Sequence, residues 1–543
     1  MKKNFCSLLS VVLVLSILST ALPLSAAAEL KPVVAVSFAS YTELKADVET
    51  IGKIVGRPDL APMLEGMLAM VTQGKGLAIL DQAQPLGVVV LSDGSEDFTI
   101  YGFLPINDLP ALIELMKPAM GGEGPKAENG VYELPAGPVS LYVTQKGKWT
   151  YVAQKKETFA SVSDDPATLL GDMPKRYLLA VRASAKNIPD SIKQKALAFL
   201  PILAQSAMQP PEMVQQNVEQ IDRLSKELDE AMLGVTLDRQ TNSAYMDIEL
   251  TAIPGSNLAA QLAATKPGKT DFAGLKIPGA AVTFNVTSTL TDEDVARAKK
   301  SLDVLRASAQ DGLKDQDLSK EQLDLAADVL NQLFDLVIKT VELKKTDYGM
   351  ALVLEPNALT VAAGSIVADG TKLEDILKKL LDEAAKDEPD VAKLVKLNAE
   401  TYKGIRLDTF SMPAPDPHLA ALVGDTLDVV LGIGDKQVFI AAGRDALKTL
   451  KEAIDKSQSE AGKEIPASQV VVSGLKIAKF VSAVADDDQA KAIADKIAGS
   501  LEQSGGKDHL TIVAGPIPNG ARIRLELEEG ILKALGGMQP MGP

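Results

Sequence analysis

Two stretches of the chain decide the fold, KGKWTYVAQKKETF (146–159) and DKQVFIAAGRDALKTL (435–450), because each reads as an apolar strand that runs into a charged helix. When the two are aligned, Tyr151 meets Phe439. Apolar residues alternate along both, as in a strand with one buried face. The pair therefore predicts that one structural unit occurs twice in the chain.

Four further pairs of stretches recur in the same order. They are YGFLPINDLPALIELM (101–116) with GSIVADGTKLEDILKKL (364–380), NGVYEL (129–134) with KGIRLD (403–408), YLLAVRAS (177–184) with QVVVSGLK (469–476), and AYMDIELT (244–251) with ARIRLELE (521–528). The first pair continues into helices with apolar residues at i, i+3, i+4 and i+7. Strands and helices do not alternate regularly. We predict an internally duplicated α+β protein, each copy being a mainly antiparallel sheet packed with amphipathic helices.

The repeats place the domain boundaries. We predict a first α+β repeat over residues 29–262 and a second over 275–535. Residues 263–274, AATKPGKTDFAG, are small and polar and contain Pro and Gly, which is the character of a linker. Residues 536–543 are expected to be a flexible tail.

The longest amphipathic segments are 212–232 and 320–340, and we predict helices over both. Apolar residues in the first recur near heptad spacing, which admits a coiled coil. Its length of about three heptads is too short for that interpretation, so we favour a helical hairpin packed on its own domain.

The amino terminus has the pattern of a secretory signal. Lys2 and Lys3 precede an apolar run, and Ala26 and Ala28 give an A-x-A cleavage pattern before Glu29. We expect residues 1–28 to be a signal peptide that is removed, although the segment is also long enough for an uncleaved anchor. The prediction is an exported protein, periplasmic or extracellular, without an integral membrane span after signal removal.

Composition excludes several classes of function. The chain is acidic, with a formal net charge of −16, and its basic residues are interspersed with acids. Nucleic acid is therefore excluded as a partner. Cys6, the single cysteine, lies inside the predicted signal, so the mature chain has neither a thiol nor a disulfide.

The residues needed for common catalytic sites are scarce. Only two histidines occur, His418 and His509, at non-corresponding positions of the two copies. Ser473 and Lys476 have the S-x-x-K spacing, but Ser473 ends an apolar strand and no K-T-G motif follows. We interpret the match as chance and predict no catalytic residue.

Cofactor and metal motifs are also incomplete. Gly432 and Gly434 follow a strand as in a dinucleotide loop, but Gln437 replaces the third glycine and a hairpin is expected next. The acids of 315–321 alternate like calcium ligands, yet Ser319 is better explained as the start of a helix capping box. The three aspartates of 486–488 suit a helix amino terminus. We predict no cofactor and no metal site.

Trp149 is the only tryptophan in a chain that is 4% aromatic. It could serve as a carbohydrate platform, but Gln437 replaces it in the second copy. We therefore favour a packing role at an edge or domain junction.

Several segments carry a resemblance to known proteins. The lysine-bearing signal, YTELKADVETIGKIVGRPDL (41–60), QGKGLAILDQAQPLGVVV (73–90) and KWTYVAQKKETF (148–159) resemble a group of exported planctomycete proteins to which no function is assigned. The resemblance implies an extracytoplasmic location and supplies no catalytic residues.

Together these features predict a non-enzymatic scaffold or binding protein of the bacterial cell envelope. Its partner would be an envelope protein or a small ligand bound between the repeats. Two alternatives stay open, a carboxylate-dependent extracytoplasmic hydrolase and a carrier of an apolar small molecule. Ligand, partner and oligomeric state are not specified by the sequence.

Overall fold

The computed structural model describes residues 30–71, 77–117, 124–136, 139–205, 211–314, 319–387, 390–414 and 416–537. Its strands, numbered along the chain, are β1 Lys31–Phe38, β2 Leu86–Ser92, β3 Phe98–Leu104, β4 Ala127–Glu128, β5 Val131–Ala136, β6 Val139–Lys146, β7 Trp149–Ala153, β8 Leu179–Ser184, β9 Leu228–Asp238, β10 Ser243–Ala252, β11 Gly268–Thr270, β12 Val282–Thr289, β13 Lys345–Glu355, β14 Ala358–Ile366, β15 Val395–Tyr402, β16 Ile405–Pro413, β17 Thr426–Ile433, β18 Gln437–Gly443, β19 Lys463–Ile465, β20 Ser468–Ser473, β21 His509–Ile517 and β22 Gly520–Leu527.

The α-helices are numbered in the same way. They are α1 Tyr41–Ile54, α2 Leu60–Val71, α3 Leu109–Met116, α4 Met173–Arg176, α5 Asp190–Gln205, α6 Pro211–Glu227, α7 Asn257–Ala263, α8 Asp292–Lys314, α9 Lys320–Val341, α10 Gly370–Asp387, α11 Val391–Leu394, α12 Pro417–Val423, α13 Ala446–Ser459, α14 Gly474–Val484, α15 Asp488–Glu502 and α16 Glu529–Gly537. Short 3₁₀ helices cover Lys156–Ala160, Pro166–Leu170, Ala185–Asn187 and Ala273–Leu275. This mixture of helices with antiparallel strands is the predicted α+β class.

The chain divides into two compact units. Unit 1 holds the described residues of Met1–Lys53, Arg57–Leu203 and Gln220–Leu237, and unit 2 holds those of Ile54–Gly56, Ala204–Glu219 and Asp238–Pro543. Each unit is therefore made of more than one stretch of the chain.

Unit 1 is built on an antiparallel ladder in the order β4-β5-β6-β7-β3-β2-β1-β8-β9. Alternate residues of β1 are buried, as the pleat requires. The core is aromatic: Phe103 packs edge-on against Trp149, with ring centroids 5.4 Å apart. Tyr151, two residues along the same strand face, is also fully buried.

Unit 2 contains an antiparallel ladder in the order β15-β16-β17-β18-β14-β13-β12-β20-β21-β22-β10. A separate two-stranded pairing joins β11 to β19. Phe439 of β18 lies 5.2 Å from Phe272, and both are buried in the core together with Leu275. Residues 263–274, the predicted linker, thus include β11 and contribute Phe272 to this core.

Several predicted elements agree with the structure and two do not. Helix α9 begins one residue after Ser319, whose side chain and Gln322 form the expected capping box. The helix predicted over 212–232 ends at Glu227, because strand β9 begins at Leu228 and pairs with β8 from Glu230 onward. The helix expected after Trp149 is only the 3₁₀ segment Lys156–Ala160.

Candidate functional site

A groove of about 500 Å³ lies between α9 and α10 of unit 2. Its apolar floor comprises Leu336 and Ile376, which are both buried. Its other lining residues are polar: Gln332, Asp335, Lys339, Lys372, Asp375, Lys378 and Lys379. The accessible lining is therefore mainly polar, since its two apolar members are buried.

The two helices are held in position by their ends. The Thr340 hydroxyl near the end of α9 accepts a hydrogen bond from the Ala368 backbone N–H at 3.0 Å. The backbone N–H of Gly370 donates to the Asp435 carbonyl at 2.9 Å. A Cβ on Gly370 would lie 2.0 Å from the Gly434 carbonyl oxygen, so the start of α10 requires glycine at this close approach.

Two groove lysines are neutralised by acids outside the lining. Lys378 pairs with Glu374 at 2.8 Å, and Glu374 also pairs with Arg406 at 2.8 Å. The hydrogen bond from Lys378 is the largest cause that lowers the pKa of Glu374, and Arg406 lowers it further. Lys379 pairs with Asp328 at 3.3 Å. These pairs hold the Lys378 and Lys379 side chains along α10.

The carboxylate of Asp335 is also engaged. Arg306 of α8 donates to it at 2.7 Å and lies over the Phe334 ring, 5.5 Å from its centroid. Lys339, one turn further along α9, would be the usual partner for an acid at i and a base at i+4. Because Arg306 takes the carboxylate, Lys339 makes no ion pair with any residue that the structure describes.

Lys372 is the second of the groove lysines that form no ion pair with a described residue. It lies in the first turn of α10, which contains no acid. The amino terminus of a helix is positive, so a cation there is unfavourable unless an anion is near. An anion is near, because the Asp369 carboxylate accepts the Lys372 backbone N–H at 3.3 Å. Lys339 and Lys372 are thus exposed lysines, one on each helix, at the rim of the groove.

The S-x-x-K match has a structural explanation. Ser473 is the N-cap of α14, and its hydroxyl accepts the Lys476 backbone N–H at 3.2 Å. The same hydroxyl donates to Asp508 at 2.5 Å. The spacing thus marks a helix cap, and the Lys476 ammonium is not what contacts the serine.

The two histidines lie on different elements, and neither belongs to the groove. His418 lies in α12 and its side chain is 82% exposed, 3.9 Å from Asp486. His509 begins β21, as predicted, and its Nδ1 is 3.0 Å from a Glu528 carboxylate oxygen. Neither residue lines the groove.

The glycine and acid motifs also have structural roles. Gly432 lies within β17, near its end, and the hairpin to β18 follows. Asp487 caps α15 by accepting the Ala490 N–H at 2.9 Å. Residues 315–318 of the calcium-like stretch lie outside the described part. Within the described residues, no group of three or more His, Cys, Asp or Glu side chains is arranged to hold a metal ion.

Trp149 is a core residue of unit 1 and not an exposed platform, since its exposed fraction is 0%. Ala26, Ala28 and Glu29, the predicted cleavage residues, lie outside the described residues. Among the helices that the structure describes, none has the length and apolar character needed to cross a bilayer.

Sequence reasoning identified α9 and the first turns of α10 as amphipathic but missed the groove. The available signal was the lysines that flank the apolar face of α10 in TKLEDILKK (371–379). It was not enough, because which lysine stays unpaired depends on Arg306 of a third helix.

Comparisons of the chain with protein-family models, with curated proteins and with solved structures give no match.

Proposed function

We propose that the chain is an exported, non-enzymatic binding protein of the bacterial cell envelope, and that it binds its ligand in the α9–α10 groove. The observation that carries the proposal is the concave groove of about 500 Å³, which is lined by side chains of both helices. A pre-formed concave site with a few polar groups is the usual form of a small-molecule site. Export rests on the signal pattern that ends at Ala28.

The arrangement of charges favours binding over hydrolysis. A carboxylate-dependent hydrolase needs acids that converge on the substrate. Of the two groove acids, Asp335 is engaged by Arg306, and lysines outnumber acids along the lining. The filled aromatic core of unit 1 around Trp149 similarly supports a structural role for that unit.

We further propose that the protein arose by internal duplication. The order β5-β6-β7-β3-β2-β1-β8-β9 in unit 1 parallels β16-β17-β18-β14-β13-β12-β20-β21 in unit 2, pairing by pairing. In the ladder, Tyr151 of β7 faces Phe103 of β3. Phe439 of β18 faces Gly364 of β14 in the corresponding pair. The aligned residues Tyr151 and Phe439 therefore lie on corresponding strands that pair with corresponding neighbouring strands. This correspondence supports two copies of one unit.

Site-specific photocrosslinking tests the proposed binding site. A photoreactive benzoylphenylalanine at Gln332 in the groove should capture a ligand in the native envelope. The matched control is the same residue at Gln489, which is exposed on α15. Equal labelling from both positions, or none from Gln332, would contradict the proposal.

Export is tested separately by cell fractionation and amino-terminal sequencing. We expect envelope or extracellular protein that begins at Glu29. Recovery of a chain with an intact Met1 from the cytoplasm would contradict the proposed location.

A further inference from the structure

We infer that three methionines of α2, Met63, Met67 and Met70, bind a soft monovalent cation of the Cu(I) class. This metal site belongs to unit 1 and goes beyond the proposed small-molecule groove, which belongs to unit 2. The incomplete calcium motif and the histidines of the chain offer carboxylate and imidazole ligands, whereas the ligands proposed here are thioether sulfurs.

The three thioethers lie along one side of α2. They occur at intervals of four and three residues, and 3.6 residues per turn places their directions within about 60° of one another. Side chains at these intervals have Cβ atoms about 5–6 Å apart, and a methionine side chain has three rotatable bonds. The sulfur of Met67 can therefore approach one cation together with the sulfur of Met63, of Met70, or of both.

These methionines are open to a solute. They are the three most exposed large apolar side chains that the structure describes, at 52%, 59% and 77% for Met63, Met67 and Met70. The leucines of the same helix are partly buried, and they are Leu60, Leu64 and Leu68. The helix thus turns its leucines inward and its methionines outward. A surface that needed only apolar character would not require this sorting, so the sulfur atom is what distinguishes the exposed positions.

The type of ligand selects the metal. A thioether is a soft and uncharged ligand that favours Cu(I), whereas hard cations such as Ca²⁺ and Mg²⁺ require oxygen ligands. Glu65 is the only ionisable residue of α2, and its carboxylate pairs with Lys45 at 2.5 Å. Helix α2 itself therefore contributes thioethers and no unpaired carboxylate.

Competition with the Cu(I) chelator bathocuproine disulfonate, without oxygen, tests the binding. The sample is the full chain after removal of residues 1–28, which contains no cysteine, so a thiol cannot account for the result. We expect about one Cu(I) per chain, and X-ray absorption should show sulfur neighbours at the metal. Zn²⁺ in about tenfold excess should not displace Cu(I), because thioethers are poor ligands for it.

Variants locate the site. The triple leucine variant, with Met63→Leu, Met67→Leu and Met70→Leu, keeps the helix and its apolar surface but removes the sulfur atoms, so it should lose the binding. Met67→Leu alone should weaken binding by at least about tenfold, because Met67 is the neighbour of both other ligands. Met412→Leu is the matched control and should leave the affinity unchanged, because Met412 is a methionine of β16 that is 44% exposed.

Four results would overturn the inference: no Cu(I) binding in competition with the chelator, only nitrogen and oxygen neighbours at the metal, undiminished binding in the triple leucine variant, or an equal loss from Met412→Leu. Undiminished binding would leave the methionines as an apolar docking surface at most. Circular dichroism shows whether each variant is folded, and if the triple variant is not, Met67→Leu and the sulfur neighbours decide the question. None of these results bears on the groove, which the crosslinks from Gln332 test.

Discussion

The carboxylate of Asp247 accepts two hydrogen bonds of 2.7 Å from the guanidinium of Arg524, and the two residues face each other across β10 and β22. They are also the fourth residues of the matching stretches AYMDIELT and ARIRLELE. The antiparallel ladder is therefore centred on a pair of equivalent positions. Because the aligned stretches have an acid in one and a base in the other at this position, the cross-strand pair is attractive rather than repulsive.

Replacing Arg524 by Met should destabilise unit 2 by about 3 kcal/mol. Asp247 is fully buried and would lose both short bonds, keeping Arg522 at 3.8 Å. Urea unfolding followed by circular dichroism measures the change. Lys393→Met is the control, because the Lys393–Asp390 pair is exposed and should contribute less than about 1 kcal/mol. If both variants lose similar free energy of unfolding, the burial of Asp247 does not determine the destabilisation.

Trp149→Ala should destabilise unit 1 by about 4 kcal/mol, because it removes a fully buried ring that packs against Phe103. Trp149→Phe should cost less than half as much, since it keeps an aromatic ring. It also removes an indole N–H that has no partner among the described residues. Denaturant unfolding by circular dichroism compares the two variants. Gln437→Ala, at the aligned position of unit 2, should change stability by less than about 0.5 kcal/mol, and a loss comparable to that of Trp149→Ala would contradict this account.

The strand pattern predicted this core well and its surroundings less well. Alternation along KWTYV placed Trp149 and Tyr151 on one face, and both are fully buried. The helix-forming residues of LDEAM (228–232) indicated a helix, but pairing with β8 overrides that local preference. Periodicity reports which face of a segment is apolar and does not report which partner covers it.

The groove was beyond prediction for a related reason. Sequence spacing favours an Asp335–Lys339 pair within α9, whereas the structure pairs Asp335 with Arg306 of α8. The choice between these partners depends on how two helices pack. The same holds for Phe272, which looked like part of a polar linker and is fully buried in unit 2.

Gly274→Ala should destabilise unit 2 by about 3 kcal/mol or more, although Gly274 also belongs to the predicted linker. A Cβ at this position would lie 1.9 Å from the Ala453 carbonyl oxygen and 2.7 Å from the Ser457 backbone nitrogen, so α13 would have to move. Thermal unfolding measures the loss. Gly499→Ala is the matched control: a Cβ there meets no described atom within 4 Å, and alanine favours the α15 helix by up to about 1 kcal/mol. If Gly274→Ala is tolerated as well as Gly499→Ala, α13 does not pack against this turn as described.

Asp408 makes the stability of unit 2 depend on pH. Its side chain is buried, and burial is the largest cause that raises the pKa of this carboxyl above its usual 3.8. One oxygen accepts the Asn398 N–H at 2.6 Å, while the other has no partner among the described residues. The folded protein therefore holds the proton more tightly than the unfolded chain does. Its free energy of unfolding loses this contribution as the pH rises from about 3.8 through the raised pKa, and the loss persists at neutral pH.

Asp408→Asn should remove this penalty and keep an acceptor for Asn398. At pH 7 we expect the variant to be more stable than the unmodified protein by about 1 kcal/mol, because a buried charge is replaced by a neutral amide of similar size. The difference should shrink as the pH falls through the raised pKa towards 3.8, because the carboxyl of the unmodified protein becomes protonated first in the folded state and then in the unfolded state. Denaturant unfolding at several pH values measures it, with the exposed Asp390→Asn as control. If Asp408→Asn is instead destabilised at pH 7 and the loss disappears at low pH, the charged carboxylate is favourable in the fold, and Arg406 rather than burial governs its ionisation.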